Sequence, residues 1–245
     1  MSSLRPLFAF GTRPEAIKLA PLLRVFGERS QEITPIVCVS GQHREMLTQV
    51  LDYFGIQPDF DLKLMQPDQS LASLTARCVA SLDETLEKVR PDILIVQGDT
   101  TTVMAASLAA FYRRVPVMHV EAGLRTGNLA APFPEEFNRR ATSLVAQLHC
   151  APTERSAQNL LDEGIPPERV RVTGNTVVDA LLWTLARERG ADSPWSQKYA
   201  FLGQQRMVLV TGHRRENFGG GFKSICEAIV ESARSFPEIR YLYPV

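Results

Sequence analysis

PLFAFGTRPE, residues 6–15, is the stretch that decides the fold of this chain. The mostly apolar segment Pro6–Phe10 is followed at once by a glycine turn, and Pro14 then stands where the first turn of a helix tolerates proline. The stretch therefore predicts a strand over about 6–10 that leads into a helix over about 14–29. A strand that passes directly into a helix is typical of parallel α/β sheets.

The same strand-to-helix alternation continues along most of the chain. Further strands are predicted at about 33–39, 92–97, 115–120, 148–151 and 170–173. Further helices are predicted at about 44–54, 70–89, 100–113, 135–147, 153–163 and 175–188. This order predicts an α/β fold built on a doubly wound parallel sheet with right-handed crossovers.

The helix predicted over 70–89 has the clearest apolar pattern. Ser70 is a suitable N-cap, because its hydroxyl is able to accept a hydrogen bond from a free backbone N–H of the first turn. One apolar stripe follows at three- and four-residue steps, formed by Leu71, Leu74, Cys78, Leu82, Leu86 and Val89. We expect this stripe to pack against the sheet.

An interruption of the pattern predicts two domains. Glycine, aspartate, serine and proline between residues 190 and 194 break the alternation. We therefore expect an N-terminal α/β domain over 1–189 and a linker over 190–206. Residues 207–245 predict one further β-α-β unit, with a strand at 207–211, a helix at 222–236 and a strand at 240–245. A unit of that size buries little surface alone, so we expect that it either packs on the first domain or is the start of an incomplete second domain.

Composition excludes several classes of protein. The chain has 245 residues, of which 44% are hydrophobic and 22% are charged, which is typical of a globular protein with a sizeable core. Lysine plus arginine and aspartate plus glutamate each number 27, so the basic excess of a nucleic-acid-binding protein is missing. We find neither a signal-peptide pattern nor an apolar run of membrane-spanning length. We expect no nucleic-acid or membrane partner and a cytoplasmic location.

The cysteines and histidines do not follow the spacing of metal ligands. The four cysteines are far apart in mostly apolar surroundings, at Cys38, Cys78, Cys150 and Cys226. This distribution predicts buried free thiols in a reducing compartment. The sequence also contains no H-E-x-x-H motif, no Cys/His cluster, no G-x-G-x-x-G motif and no P-loop, so we expect no metal.

Four polar motifs each follow a predicted strand directly. They are GTRPE at 11–15, GQHR at 41–44, GDT at 98–100 and EAGLR at 121–125. Because the carboxyl ends of parallel strands meet at one edge, which is where such sheets bind ligands, we expect these motifs to lie together. Arginine, lysine, carboxylates and glycines gathered there suggest an enzyme for a phosphorylated substrate.

The first motif opens a helix, whose free N–H groups attract anions. Arg13 is able to bind a phosphate through two N–H groups, and Lys18 adds a point charge one turn later. The alternative interpretation is a glycine turn followed by two cations on the surface of a helix.

Two acidic residues follow predicted strands. Asp99 stands at a strand-to-helix turn, where the alternative interpretation is a helix N-cap. Glu121 directly follows a buried strand, where a carboxylate is costly unless it is paired or used. Its alternative interpretation is an internal salt bridge with Arg125.

A charged helix start follows Pro132-Phe133-Pro134. Glu135 and Glu136 suit the positive end of the helix dipole, and Glu135 and Arg139 form an i,i+4 pair, so a purely structural role is the alternative there.

Two other histidines lie near strand ends. His213 and two following arginines come after the strand at 207–211, where they suit a pyrophosphate or, as the alternative, form a solvated basic loop. We expect His149 to end a strand in the core.

Seven strings that carry these residues resemble the non-hydrolysing UDP-N-acetylglucosamine 2-epimerases. They occur in the order of that family, within residues 7–245, and are GTRPEAIKLAP, GQHREM, QGDTTT, HVEAGLRTGN, PFPEEFNRR, TGNTVVDALLW and TGHRREN. The resemblance implies a GT-B-like architecture of two Rossmann-like domains that face each other across a cleft. It also implies that the second domain binds the nucleotide and continues, in family members, beyond the last strand of this chain.

The resemblance implies an activity and a set of partners. The activity is the interconversion of UDP-N-acetylglucosamine and UDP-N-acetylmannosamine, through elimination of UDP to a glycal and re-addition of UDP. The implied partners are the UDP-sugar and a second copy in a homodimer, and no cofactor or metal is implied. The alternatives are a non-catalytic remnant or assembly partner, and a hydrolysing epimerase that releases free ManNAc.

The resemblance also implies roles for individual residues. The catalytic residues are Asp99, Glu121 and Glu135, which are acid/base candidates, and His213, which stabilises the departing diphosphate. The residues implied in substrate binding are Arg13, Lys18 and Arg139. Gln42 and His43 match a region that some bacterial members use for regulatory binding of the substrate.

Overall fold

Seven short, mainly apolar segments form one fully parallel sheet in the computed structural model, which describes residues 3–41, 44–66, 68–189, 193–211 and 220–243. The strands are β1 (Pro6–Phe10), β2 (Ile36–Val39), β3 (Phe60–Asp61), β4 (Ile93–Gln97), β5 (Val117–Val120), β6 (Leu148–Ala151) and β7 (Val170–Val172). Their order in space is β3-β2-β1-β4-β5-β6-β7, and every neighbouring pair is parallel. The predicted Rossmann-like sheet is therefore confirmed.

A helix follows each of these seven strands in the sequence. The helices are α1 (Arg13–Glu28), α2 (Arg44–Phe54), α3 (Leu71–Val89), α4 (Thr101–Tyr112), α5 (Glu135–Val145), α6 (Glu154–Asp162) and α7 (Thr176–Glu188). All seven were predicted, and Pro14 lies in the first turn of α1 as expected. The sequence did not predict β3, because two residues are too short to show an alternating pattern, and it did not predict the 3₁₀ turn at Pro167–Arg169.

Helices cover the sheet on both faces. Within β1, Leu7 and Ala9 pack in one core cluster with residues of α3 and α4. Phe8 and Phe10 point the other way and pack in a second cluster with residues of α1 and α2. Because side chains of a strand alternate between faces, this division shows that the sheet is doubly wound.

The predictions for α3 and the cysteines are confirmed with two exceptions. Ser70 accepts a hydrogen bond from the N–H of Ser73, and the apolar stripe is buried except for Leu71 in the first turn, which is 45% exposed. Three cysteines are buried free thiols, whereas Cys226 is only half-buried.

By its internal contacts the chain divides into the units Met1–Trp183 and Thr184–Val245. The second unit contains α8 (Pro194–Lys198), a 3₁₀ helix (Ala200–Leu202), β8 (Met207–Leu209), α9 (Gly220–Ser235) and β9 (Arg240–Leu242). Strands β8 and β9 pair in parallel, as the predicted β-α-β unit requires. The segment predicted as a linker is partly helical, because Ser193 accepts a hydrogen bond from the N–H of Trp195 and starts α8.

Gly123 lies where the loop after β5 packs closely on α6. Its φ is +88°, and a Cβ there would lie 2.1 Å from the carbonyl oxygen of Ser156. We expect Gly123→Ala to lower the free energy of unfolding by about 3 kcal/mol or more, because backbone strain adds to overpacking. Urea unfolding followed by circular dichroism measures this loss.

Gly164→Ala is the matched control. Gly164 also has a positive φ, +83°, but no atom lies within 4 Å of the Cβ position. Strain alone costs about 1 kcal/mol. Equal losses in the two variants would contradict the close packing of Gly123 on α6.

Candidate active site

The carboxylate of Glu121 connects four chain segments at the carboxyl edge of the sheet. The ammonium Nζ of Lys18 in α1 lies 2.5 Å from Oε2 of Glu121. The side-chain amide of Gln97, the last residue of β4, donates to the same oxygen. The amide Nδ2 of Asn175, between β7 and α7, donates to Oε1 at 2.8 Å. Loops distant in sequence therefore meet at one acidic group, as the direction of parallel strands predicts.

The backbone at Glu121 is strained. Its φ is +62°, a left-handed conformation that costs a residue with a Cβ about 1–2 kcal/mol. Its side chain is only 12% exposed, so the carboxylate has lost much of its hydration. Three N–H donors replace that hydration. Strain at a residue whose side chain is this fully engaged is typical of a functional position.

A second ion pair lies beside the first. The guanidinium of Arg139 in α5 donates to Oδ2 of Asp99 at 2.5 Å, and Nδ2 of Asn138 donates to the backbone carbonyl of Asp99 at 3.0 Å. Burial raises the pKa of Asp99, Arg139 opposes that rise, and the negative charges of Glu135 and Glu121 add to it. The three acid/base candidates therefore share one electrostatic neighbourhood.

The N-cap alternative for Asp99 is wrong, and the internal salt bridge of Glu121 forms with Lys18 rather than with Arg125. Arg125 pairs with Glu163, whose oxygens lie 2.8 and 2.7 Å from its Nε and Nη2, and this pair lowers the pKa of Glu163. The ion-pair partner of Glu121 is Lys18. The N-cap of α4 is Thr100, whose hydroxyl accepts from the N–H of Val103, so Asp99 is free of the capping role.

The expected pairing between Glu135 and Arg139 is also wrong. The side chain of Arg139 points to the loop after β4. Its Nη2 lies 2.5 Å from Oδ2 of Asp99, and its Nη1 lies 3.5 Å from Oε2 of Glu136. Glu135 is half-buried at the start of α5 and has no ion-pair partner among the described residues.

Of the remaining predicted site residues, the structure describes only Arg13. Arg13 is exposed in the first turn of α1, and the described parts of the chain offer it no ion pair. His213, Gln42 and His43 lie outside the described residues, so their roles stay predictions from the sequence.

Sequence reasoning missed Glu15, which is 2% exposed. Its Oε2 accepts from the backbone N–H groups of Gly11 and Thr12 at 3.0 and 2.7 Å, and its Oε1 accepts from the hydroxyl of Thr100 at 2.8 Å. Burial raises the pKa of Glu15, and these hydrogen bonds oppose the rise. The spacing T-x-x-E at residues 12–15, a capping box, was the pattern that would have found it.

The sequence predicts for Glu136 only an interaction with the helix dipole, whereas the structure shows further contacts. It is fully buried and accepts from the backbone N–H groups of Thr126 and Gly127 at 3.1 and 3.4 Å. Glu136 therefore fixes the loop after the EAGLR motif to α5.

His119 and His149 are neighbours across β5 and β6 and are buried. A ring nitrogen of His119 lies 2.7 Å from the carbonyl oxygen of Gly98. Burial lowers the pKa of each to about 4, so both are neutral at pH 7 and act as core residues. His149 lies inside β6 rather than at its end.

Within the described ranges, no three His, Cys, Asp or Glu side chains are grouped so that they could hold a metal ion. A search of the helices in the same ranges finds none with the length and apolar character needed to span a membrane.

Comparison with known proteins gives the family. The family model described as UDP-N-acetylglucosamine 2-epimerase matches residues 27–245. The UDP-N-acetylglucosamine 2-epimerase of Yersinia pestis is 53% identical over 99% of this chain and 65% of its own length. A homologue from Thermotoga maritima, named as a putative UDP-N-acetylglucosamine 2-epimerase, is 47% identical over 99% of this chain and 63% of its own length.

Solved structures agree with the sequence comparison. The crystal structure of UDP-GlcNAc 2-epimerase from Neisseria meningitidis bound to UDP-GlcNAc superposes with a TM-score of 0.91 at 48% identity, over 98% of this chain and 66% of that one. The Methanocaldococcus jannaschii enzyme in complex with UDP-GlcNAc and UDP superposes with a TM-score of 0.81 at 31% identity, over 98% of this chain and 66% of that one. The chain spans about 65% of the length of the first curated relatives that it matches.

The sheet and the charged carboxyl edge define a Rossmann-like α/β protein, whose structural neighbours are enzymes of the GT-B-like class. Within that class the chain belongs to the UDP-N-acetylglucosamine 2-epimerase family.

Substitution of Glu15 tests how much its buried hydrogen bonds stabilise the fold. We expect Glu15→Ala to lower the free energy of unfolding by about 2–4 kcal/mol, because two buried backbone N–H groups lose their acceptor. Glu15→Gln keeps an acceptor oxygen and should lose far less. Urea unfolding at a series of pH values measures both.

The pH dependence adds a second outcome. Because the folded pKa of Glu15 lies above its value of 4.5 in the unfolded chain, its contribution to stability falls as the pH rises from 4.5 through the folded pKa. Glu15→Gln should therefore gain stability relative to the wild type across that window. A constant difference at all pH values would contradict the buried acid.

Proposed function

We propose that this chain carries the acid–base edge of a UDP-N-acetylglucosamine 2-epimerase, which interconverts UDP-GlcNAc and UDP-ManNAc. The observation that carries the proposal is the placement of two carboxyl–cation pairs, Glu121 with Lys18 and Asp99 with Arg139, side by side at one edge of the sheet. The Neisseria meningitidis relative, which has the same fold, is described with UDP-GlcNAc bound.

The chemistry explains why acids and cations are needed together. The hydrogen on sugar carbon 2 is weakly acidic and becomes removable only as the bond from carbon 1 to oxygen breaks. The electron pair of that bond leaves with UDP, and the proton of carbon 2 passes to a carboxylate, which leaves a glycal. UDP then adds back to carbon 1 while a proton is delivered to the opposite face of carbon 2.

This route is redox-neutral. Elimination and re-addition return every electron to the sugar, so the proposed reaction needs no nicotinamide cofactor. Preorganised cations stabilise the charge that develops on the departing diphosphate, which is the largest electrostatic demand of the reaction.

The environments of the acids support different roles. Burial raises the pKa of Asp99 although Arg139 opposes the rise, and a raised pKa suits an acid that exchanges a proton with the substrate. Glu121 faces three N–H donors and presents only acceptor oxygens to them, which suits proton removal. Glu135 is the third acid/base group, held close enough to Asp99 to influence its charge.

The cations divide between paired and unpaired groups. Lys18 and Arg139 each hold a carboxylate in this structure and bind substrate from that position. Arg13 is exposed at the positive end of α1 and is the group that meets the diphosphate. His213 assists the leaving group, and Gln42 and His43 belong to a regulatory substrate site, both on the sequence resemblance alone.

We further propose a homodimer, a cytoplasmic location and a nucleotide-binding domain that begins at residue 207. The surface we propose for the dimer is the packed pair of helices α4 and α5, which exposes four apolar side chains. They are Phe111, Tyr112, Phe137 and Leu144.

Isotope exchange tests the activity. UDP-GlcNAc is incubated in D2O with the 245-residue chain and, in parallel, with this chain fused to the C-terminal third of the Yersinia pestis relative. We expect UDP-ManNAc that carries deuterium at carbon 2, because the proton is exchanged in the glycal state. We expect Glu121→Gln to lower kcat by about 10²–10⁴-fold.

Glu28→Gln is the control, since Glu28 forms an exposed pair with Arg24 and should leave kcat unchanged. Epimer without deuterium would refute the elimination route. Free ManNAc formed in step with UDP would identify a hydrolysing epimerase, and no turnover by either protein would leave the remnant interpretation standing.

A further inference from the structure

Asn175 makes two hydrogen bonds of opposite polarity. It lies half-buried between β7 and α7, at the point where α7 begins. Its Oδ1 accepts from the backbone N–H of Val177 at 3.0 Å, while its Nδ2 donates to Oε1 of Glu121 at 2.8 Å. The same side chain therefore holds the start of a helix and one oxygen of the central carboxylate.

These two contacts fix the orientation of the amide. A flipped Asn175 would turn its oxygen toward the carboxylate of Glu121 and its NH₂ group toward the N–H of Val177, and both contacts would be repulsive. The backbone N–H of Val177 thus selects the orientation in which a donor faces Glu121.

The contact of Asn175 complements those on the other oxygen. Lys18 and Gln97 both donate to Oε2 of Glu121, from α1 and β4, whereas Asn175 reaches Oε1 from the far side. A carboxylate held from both sides is unable to rotate about its last bond without losing a hydrogen bond.

We propose that Asn175 is a positioning residue that aims the carboxylate of Glu121 at the substrate. The inference rests on the proposed epimerase function, in which Glu121 handles the hydrogen of sugar carbon 2. A displacement of about 1 Å in a reacting group is able to cost about 10²-fold in rate. Removal of the Nδ2 donor should therefore slow the chemical step and leave substrate affinity unchanged.

The competing explanation is that Asn175 only caps α7. Two substitutions separate the roles. Asn175→Ser keeps an oxygen that accepts from the N–H of Val177 but is too short to reach Glu121 as well. Asn175→Asp also keeps the cap and places a second negative charge against the carboxylate of Glu121.

The first measurement needs no activity. Crystal structures of the 245-residue chain are compared for the wild type, Asn175→Ser and Asn175→Asp. We expect α7 to be retained in all three and the carboxylate of Glu121 to move by about 1 Å or more in both variants. A carboxylate that keeps its wild-type position in both variants would overturn the inference, whatever the enzyme does.

The second measurement uses the form that turns over UDP-GlcNAc. We expect Asn175→Ser to lower kcat by about 10–10²-fold with KM within a factor of two. Asn175→Asp should in addition move the acid limb of the pH–rate profile to higher pH, because two adjacent carboxylates resist joint ionisation. An unchanged kcat in Asn175→Ser would refute the positioning role.

Ser70→Ala is the matched control, because Ser70 caps α3 and contacts no group of the site. It should lower the melting temperature and leave kcat and the pH–rate profile at wild-type values. A loss of kcat equal to that of Asn175→Ser would reduce Asn175 to a structural cap. A wild type without turnover would refute the proposed function, and the crystal structures would then decide the role of Asn175.

Discussion

The structure of the charged edge depends on the hydrogen bonds that are donated to the carboxylate of Glu121. A carboxylate with 12% exposure is stable only if donors replace its water. The donors come from α1, β4 and the turn after β7, so the strands must be parallel and in the observed order for them to meet. The observed strand order and direction are therefore required for this site to form.

A second layer of buried acids holds the loops that carry the site. Glu15 accepts from two backbone N–H groups at the start of α1 and from Thr100 at the start of α4. Glu136 does the same for the loop at Thr126 and Gly127. These acids bond mainly to backbone, so they fix loop conformation. Glu121 and Asp99, two of the acids proposed for catalysis, bond instead to cationic or amide side chains.

The arrangement of strands and helices was predictable because apolar runs and turn residues are local properties of the sequence. The convergence of GTRPE, GDT and EAGLR at one edge was predictable too, since it follows from strand direction alone. The two-residue strand β3 was missed because so short a segment has no periodicity.

The pairing of charges was not predictable from spacing. Arg125 is four residues from Glu121 in sequence but pairs with Glu163, 38 residues away, and Glu121 pairs with Lys18, 103 residues away. Such partners depend on how helices pack. The backbone of Glu121 is left-handed, and no propensity predicts that conformation for a glutamate.

A double-mutant cycle between Lys18 and Glu121 tests the central claim most directly. The free energy of unfolding is measured in urea for the wild type, Lys18→Met, Glu121→Gln and the double variant. A charged hydrogen bond in a half-buried site predicts a coupling energy of about 1–2 kcal/mol. Additive losses, with a coupling below about 0.3 kcal/mol, would show that the two side chains do not interact and would contradict the account.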